Sequence, residues 1–135
     1  MTYKTPTSKL TPRRIRHICD LVMDWCVNTY GIKKKGVPFL RVTTFDGSTF
    51  GEYDDIDHEI FIYHNNCRTV RVLIQTMIHE YTHSIQKGMR SYSKLSKENG
   101  YWNNPLEIEA RSKEKDWKQC YGDCVSPYLR RVTKL

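Results

Sequence analysis

The sequence predicts an α+β fold: an N-terminal helix, a small and mainly antiparallel sheet, a long central helix and a C-terminal helix. Three observations predict it. Apolar residues recur at helical spacing from Ile15 to Cys26 and again from Val70 to Ile85. The stretch between them reads as short β-like segments separated by turn signals. The 135 residues, 39% hydrophobic and 12% aromatic, suit one globular domain around a single modest core, and no repeat, low-complexity tract or linker divides them.

Residues 1–10 read as a loose, flexible arm ahead of a single domain over residues 11–135. Thr11-Pro12 starts the first helix, with Thr11 as the cap and Pro12 at the first helical position. Ile15, Ile18, Cys19, Val22, Trp25 and Cys26 then form one apolar stripe, and Gly31 ends the helix. The lysine run Lys33 to Lys35, closed by Gly36, is a connection.

Phe39 to Phe45 alternates in part and carries Val42, Thr43 and Thr44, so it predicts a strand. Asp46-Gly47 is a turn signal, after which Thr49 to Tyr53 reads as a second strand. Asp54 to His58 is a further turn, and Glu59-Ile60-Phe61-Ile62-Tyr63 is the clearest strand of the three. His64-Asn65-Asn66 is read as the cap of the central helix, which runs to about Lys87 with Gly88 as its stop. Its apolar positions Val70, Leu73, Ile74, Met77, Ile78, Tyr81 and Ile85 predict a helix buried over most of its surface. Residues 89–103 read as a polar loop. Asn104-Pro105 starts the last helix, drawn through about Gln119.

Composition narrows the function classes. No window approaches 18 uninterrupted apolar residues, so no ordinary membrane-spanning helix is predicted. The first residues lack the apolar core of a secretory signal, and a cytoplasmic protein is the expectation. Five cysteines, an odd count, suit a reducing compartment better than a disulfide framework. Cys120 and Cys124 have no second Cys or His pair nearby with which to build a structural zinc site. The formal charge of +7 is spread unevenly. Basic residues gather at both termini (Lys4, Lys9, Arg13, Arg14 and Arg16; Arg130, Arg131 and Lys134), whereas Asp46 to Glu59 is an acidic block. Basic termini permit nucleic-acid contact by neutralising phosphates; a solvated surface with basic termini is the favoured reading.

The chemistry sits on the central helix, where His79-Glu80-Tyr81-Thr82-His83 matches H-E-x-x-H. Residues i and i+4 share one helical face, so both imidazoles reach a single ion. Glu80 projects beside that face, placed to take a proton from a metal-activated water as the catalytic base. Two polar imidazoles and a carboxylate on an otherwise apolar helix would be costly without a common partner. Imidazole and carboxylate ligands favour Zn2+. A third protein ligand is still required, and Glu107 and Glu109 are the downstream candidates. Glu107 also fits a capping box with Asn104, a role that would leave Glu109 for the metal.

His79-Glu80-x-x-His83 followed by a helix bearing Glu107-x-Glu109-Ala110 resembles the gluzincin metallopeptidases. It is closest in kind to minimal bacterial and phage proteins of that group, including regulatory proteases that cleave repressors. The resemblance covers roughly residues 58–120 and implies a zincin-like fold whose C-terminal helix carries the third ligand. Many gluzincins place that ligand three residues before a small Ala or Ser, which favours Glu107 and keeps Glu109 as the alternative. An Asp follows the small residue in that pattern, whereas Arg111 stands here, so a hydrogen-bond partner for a ligand histidine must come from elsewhere. The resemblance further implies a substrate-binding edge strand, for which Ile60 and Ile62 in Glu59 to Tyr63 are the candidates. It also implies an oxyanion donor, with Tyr92 and Tyr101 as candidates. The implied function is zinc-dependent endopeptidase activity on a protein or peptide. The alternative is a DNA-associated or regulatory binding protein with a vestigial or structural zinc site.

Overall fold

The computed structural model describes residues 1–133. Helix α1 (Pro12–Tyr30) starts as its sequence dictates, with the Thr11 side chain accepting a hydrogen bond from the Arg14 amide and Pro12 in the first turn. It buries Ile15, Ile18, Cys19, Val22, Met23 and Cys26, and ends at Gly31, whose φ of 82° a side chain would disfavour.

Three strands follow: β1 (Phe39–Thr43), β2 (Gly51–Asp54) and β3 (Glu59–Tyr63). The sheet order is β1-β3-β2, with β3 parallel to β1 and antiparallel to β2. The sheet is therefore mixed rather than mainly antiparallel. Its most apolar strand takes the centre, where Ile60 and Ile62 are 0% exposed. Leu40 and Val42 pair with them from one side, Tyr53 and Gly51 from the other. The segment after Asp46-Gly47 does not fold back on β1. Asn65 instead binds both the amide and the carbonyl of Phe45, and Asn66 donates to the Thr49 carbonyl, so this loop is clamped across the end of β3.

That clamp is what His64-Asn65-Asn66 contributes; it does not cap the next helix. Helix α2 (Val70–Ile85) is capped by Thr69, which accepts from the Val72 amide. It stops at Gln86, ahead of Gly88 with φ 88°. Val70, Leu73, Ile74, Met77, Ile78 and Tyr81 are all fully buried, and the helix is enclosed by α1, the sheet and the C-terminal helices.

The first ten residues are a docked segment rather than a loose arm. The Thr5 and Tyr3 carbonyls accept from the Val70 and Arg71 amides, two of the donors that a helix N-terminus leaves unpaired. Thr7 donates to the Cys67 carbonyl at 2.6 Å, and Leu10 is 5% exposed. The Tyr3 ring packs against Trp117 and Tyr121. Residues 89–103 likewise hold more than a loop, for helix α3 (Tyr92–Asn99) lies between Gly88 and Gly100. It buries no residue fully, so its sequence carries no apolar periodicity.

Helix α4 (Pro105–Lys113) begins at Asn104, whose side chain accepts from the Leu106 amide. Asn104 Nδ2 in turn donates to the Tyr92 carbonyl and the Ser96 hydroxyl, tying α3 to the start of α4. The chain continues as a 3-10 turn over Glu114–Asp116, α5 (Trp117–Cys120), a π turn over Tyr121–Val125 and α6 (Ser126–Thr133). Lys134 of the basic C-terminus lies outside the described residues. All five cysteines are free thiols. Among the described residues no helix is long and apolar enough to cross a membrane.

Candidate metal centre

Helix α2 turns one face of its last two turns toward α4, and His79 and His83 project from it. From the first turn of α4, Glu107 reaches back between them. Its Oε1 lies 2.8 Å from His79 Nε2 and its Oε2 3.1 Å from His83 Nε2. One donor atom from each of the three residues lies within 4.8 Å of the others, so the group can hold a metal ion. Glu107 is 3% exposed and does not act as a capping-box residue. Glu109 leaves α4 in another direction and accepts from the Gln86 side chain at 2.8 Å. The choice between the two glutamates therefore falls on Glu107.

The ring nitrogens facing away from this centre have acceptors of their own. His83 Nδ1 meets Gln86 Oε1 at 2.7 Å. Because Gln86 Nε2 already donates to the Leu106 carbonyl and to Glu109, its oxygen must face His83, and Nδ1 is the protonated nitrogen. His79 Nδ1 meets Glu114 Oε2 at 2.8 Å. Glu114 thus supplies a carboxylate partner for His79: it lies two helical turns after Glu107, on the same side. That i, i+7 spacing was the available signal. Tyr92 adds a third bond at the centre, donating to Glu107 Oε2 at 2.5 Å.

This arrangement calls for a cation. A neutral imidazole has one N–H, yet both nitrogens of His79 face carboxylate oxygens, so lone pairs oppose each other unless positive charge lies between them. Burial works against charge on His79, but the bonds to Glu107 and Glu114 overcome it and lift its pKa to about 10. Burial also pushes Glu107 up, and the bonds from His79, His83 and Tyr92 more than reverse this, holding it well below the usual carboxylate range. A metal cation satisfies the same three donors with both imidazoles neutral, which fits the buried donor set.

Glu80 is adjacent but is not one of the donors. It is 7% exposed, and burial raises its pKa to about 7 against the opposing pull of His79 and His83. Its stem lies against β2 at Gly51. A Cβ on Gly51 would stand 3.3 Å from Glu80 Cγ, 3.0 Å from Thr76 Cγ2 and 2.8 Å from the Phe61 carbonyl oxygen. Only glycine lets the strand run this close to the helix.

A cleft of about 570 Å³ opens over the centre. His79, Glu80 and His83 form its floor, Gly51 and Tyr53 of β2 one wall, and Tyr92 and Tyr101 the other. The Tyr92 hydroxyl is committed to Glu107, whereas Tyr101 is 60% exposed at the mouth. Ile60 and Ile62 are not in the cleft; β3 is the central strand and both side chains belong to the core. The strand that borders the cleft is β2, which pairs within the sheet only with β3 and so leaves one edge open. Comparison of the chain with protein-family models, curated proteins and solved structures found no match.

Proposed function

We propose that this chain is a zinc-dependent endopeptidase of the gluzincin kind, with His79, His83 and Glu107 holding the metal and Glu80 as general base. The observation that carries this reading is Glu80: a buried carboxylate beside the metal donors, not itself a donor, with a pKa of about 7 and access to the cleft. A purely structural zinc site needs no such group, so the alternative of a regulatory binding protein leaves it without a role.

His79, His83 and Glu107 would hold the zinc, which when bound would supply a water with its pKa lowered to about 7 and polarisation of a carbonyl oxygen. The protein supplies the rest. The open edge of β2 pairs with an extended peptide backbone and lays the scissile bond along the cleft floor. Glu80 takes a proton from the attacking water and delivers it to the departing amine; a pKa near neutrality suits both transfers. Tyr101 donates to the carbonyl oxygen as it gains negative charge. Glu114 and Gln86 fix the ring orientations, so the two Nε2 lone pairs stay aimed at the metal position. Five free thiols fit a reducing, cytoplasmic setting.

The test is Glu80→Gln. The variant should retain zinc and its fold while peptide hydrolysis falls by at least ~100-fold, the lower range for losing a general base. Hydrolysis at wild-type rate in the zinc-loaded variant would contradict the assignment.

A further inference from the structure

Beyond His83 the cleft runs on into a wider groove of about 970 Å³. One bank is the connection after α1, with Ile32 and the lysines Lys33, Lys34 and Lys35; the other is the turn after α2, with Lys87, Met89 and Arg90. Ile56, 88% exposed, stands at its edge. The groove thus brings five cationic side chains together against one carboxylate, Asp55. Among the described residues, none of the five is in an ion pair.

The connection that carries Lys33, Lys34 and Lys35 is anchored at both ends. The Tyr81 hydroxyl, next to Glu80 on α2, donates to the Gly31 carbonyl at 2.5 Å and anchors the start of the lysine connection. Farther along, His58 bonds the Gly36 carbonyl at 2.8 Å and Tyr53 at 2.7 Å, and Lys35 donates to the Asp55 carbonyl. The Gly36 amide closes the turn on the Lys33 carbonyl. Lys33 lies below the ordinary lysine range because of burial and then because of the charges of Lys87 and Lys35, with Glu109 opposing. Like charges gathered along one groove favour an anionic occupant.

We propose that this groove selects the substrate: it receives an acidic stretch of an extended polypeptide, with aliphatic residues among its Asp and Glu, on one side of the scissile bond. The inference rests on the peptidase reading, and it names the substrate class for the same site. Peptide is favoured over nucleic acid because Ile32, Ile56 and Met89 offer apolar contacts between the cations, and because Tyr53 of β2 lines both the cleft and the groove. A strand added to β2 therefore leads from the metal centre into the groove.

The experiment uses zinc-loaded Glu80→Gln protein and fluorescence anisotropy with three labelled probes: a twelve-residue peptide alternating Glu with Leu and Ser, its Gln counterpart, and a single-stranded DNA 20-mer. Lys34 and Lys87 are exposed, so Lys34→Glu with Lys87→Glu tests the groove without disturbing the core; Arg13→Glu with Arg14→Glu is the control at a distant basic surface. The acidic peptide should bind roughly tenfold tighter than the Gln peptide, the sum of two or three exposed charge contacts. Reversing the groove lysines should erase that difference, and the control should leave it intact. Equal binding of the two peptides, equal loss in the control, or tighter binding of the DNA would overturn the proposal. Cleavage of casein by the zinc-loaded wild type separates the two claims. Charge-selective binding without any cleavage would uphold the groove and sink the peptidase reading; cleavage without charge selection would do the reverse.

Discussion

Replacing Glu114 by alanine isolates the contact that the sequence did not reveal. Glu114 is not one of the three metal donors and does not line the 570 Å³ cleft over them; it accepts from His79 Nδ1 at 2.8 Å with its own side chain 31% exposed. Its loss leaves the fold essentially unperturbed but releases one end of the His79 ring. A hydrogen bond to a charged group contributes about 1.5–3 kcal/mol, which at about 1.4 kcal/mol per decade is a factor of roughly 10–100 in metal affinity. Partners of this kind beyond the ligands of metal sites have effects of the same size, about 10–100-fold. Competition for zinc against a chromophoric chelator measures the change directly. Arg111→Ala, one turn earlier on the chain, should leave zinc affinity unchanged, because Arg111 lies over the Trp102 ring and not against a ligand. Unchanged affinity in Glu114→Ala, or an equal drop in Arg111→Ala, would refute the assignment of Glu114 as the group that orients His79.

Two further outcomes follow from the packing. Gly51→Val should destabilise the fold by about 1–3 kcal/mol, the usual cost of overpacking, since even a Cβ there meets the Phe61 carbonyl at 2.8 Å; urea denaturation reads this, and wild-type stability would count against the close approach of β2 to α2. Deleting residues 1–6 removes the carbonyls that satisfy the Val70 and Arg71 amides, so the melting temperature should fall by several degrees for a loss of about 1–2 kcal/mol, whereas a freely moving arm would be deleted without effect.

What the sequence made legible was local. The Thr11-Pro12 cap, the apolar stripe of α1, the Asn104 cap and the H-E-x-x-H face each depend on residues within a few positions of one another, and the structure bears them out. Sheet order was not legible, because it is decided by which strand tolerates two neighbours. Only β3, with Ile60 and Ile62, has the apolar content for the centre, and that excluded it as the edge strand. Helix α3 escaped notice for lack of a buried face. The docking of residues 3–10 depends on backbone carbonyls and on the Tyr3, Thr7 and Leu10 side chains, whose partners lie far along the chain, so no local pattern marks it. The Ala110 spacing favoured Glu107 over Glu109, and tertiary contacts separate them: α4 turns one toward the histidines and the other toward Gln86.

The most direct test of the account is zinc content by plasma mass spectrometry on untagged wild-type protein, Glu107→Ala and Glu109→Ala. The account predicts about one zinc per chain in the wild type, retained in Glu109→Ala and lost in Glu107→Ala. No zinc in the wild type after reconstitution, or loss on substituting Glu109 alone, would contradict it.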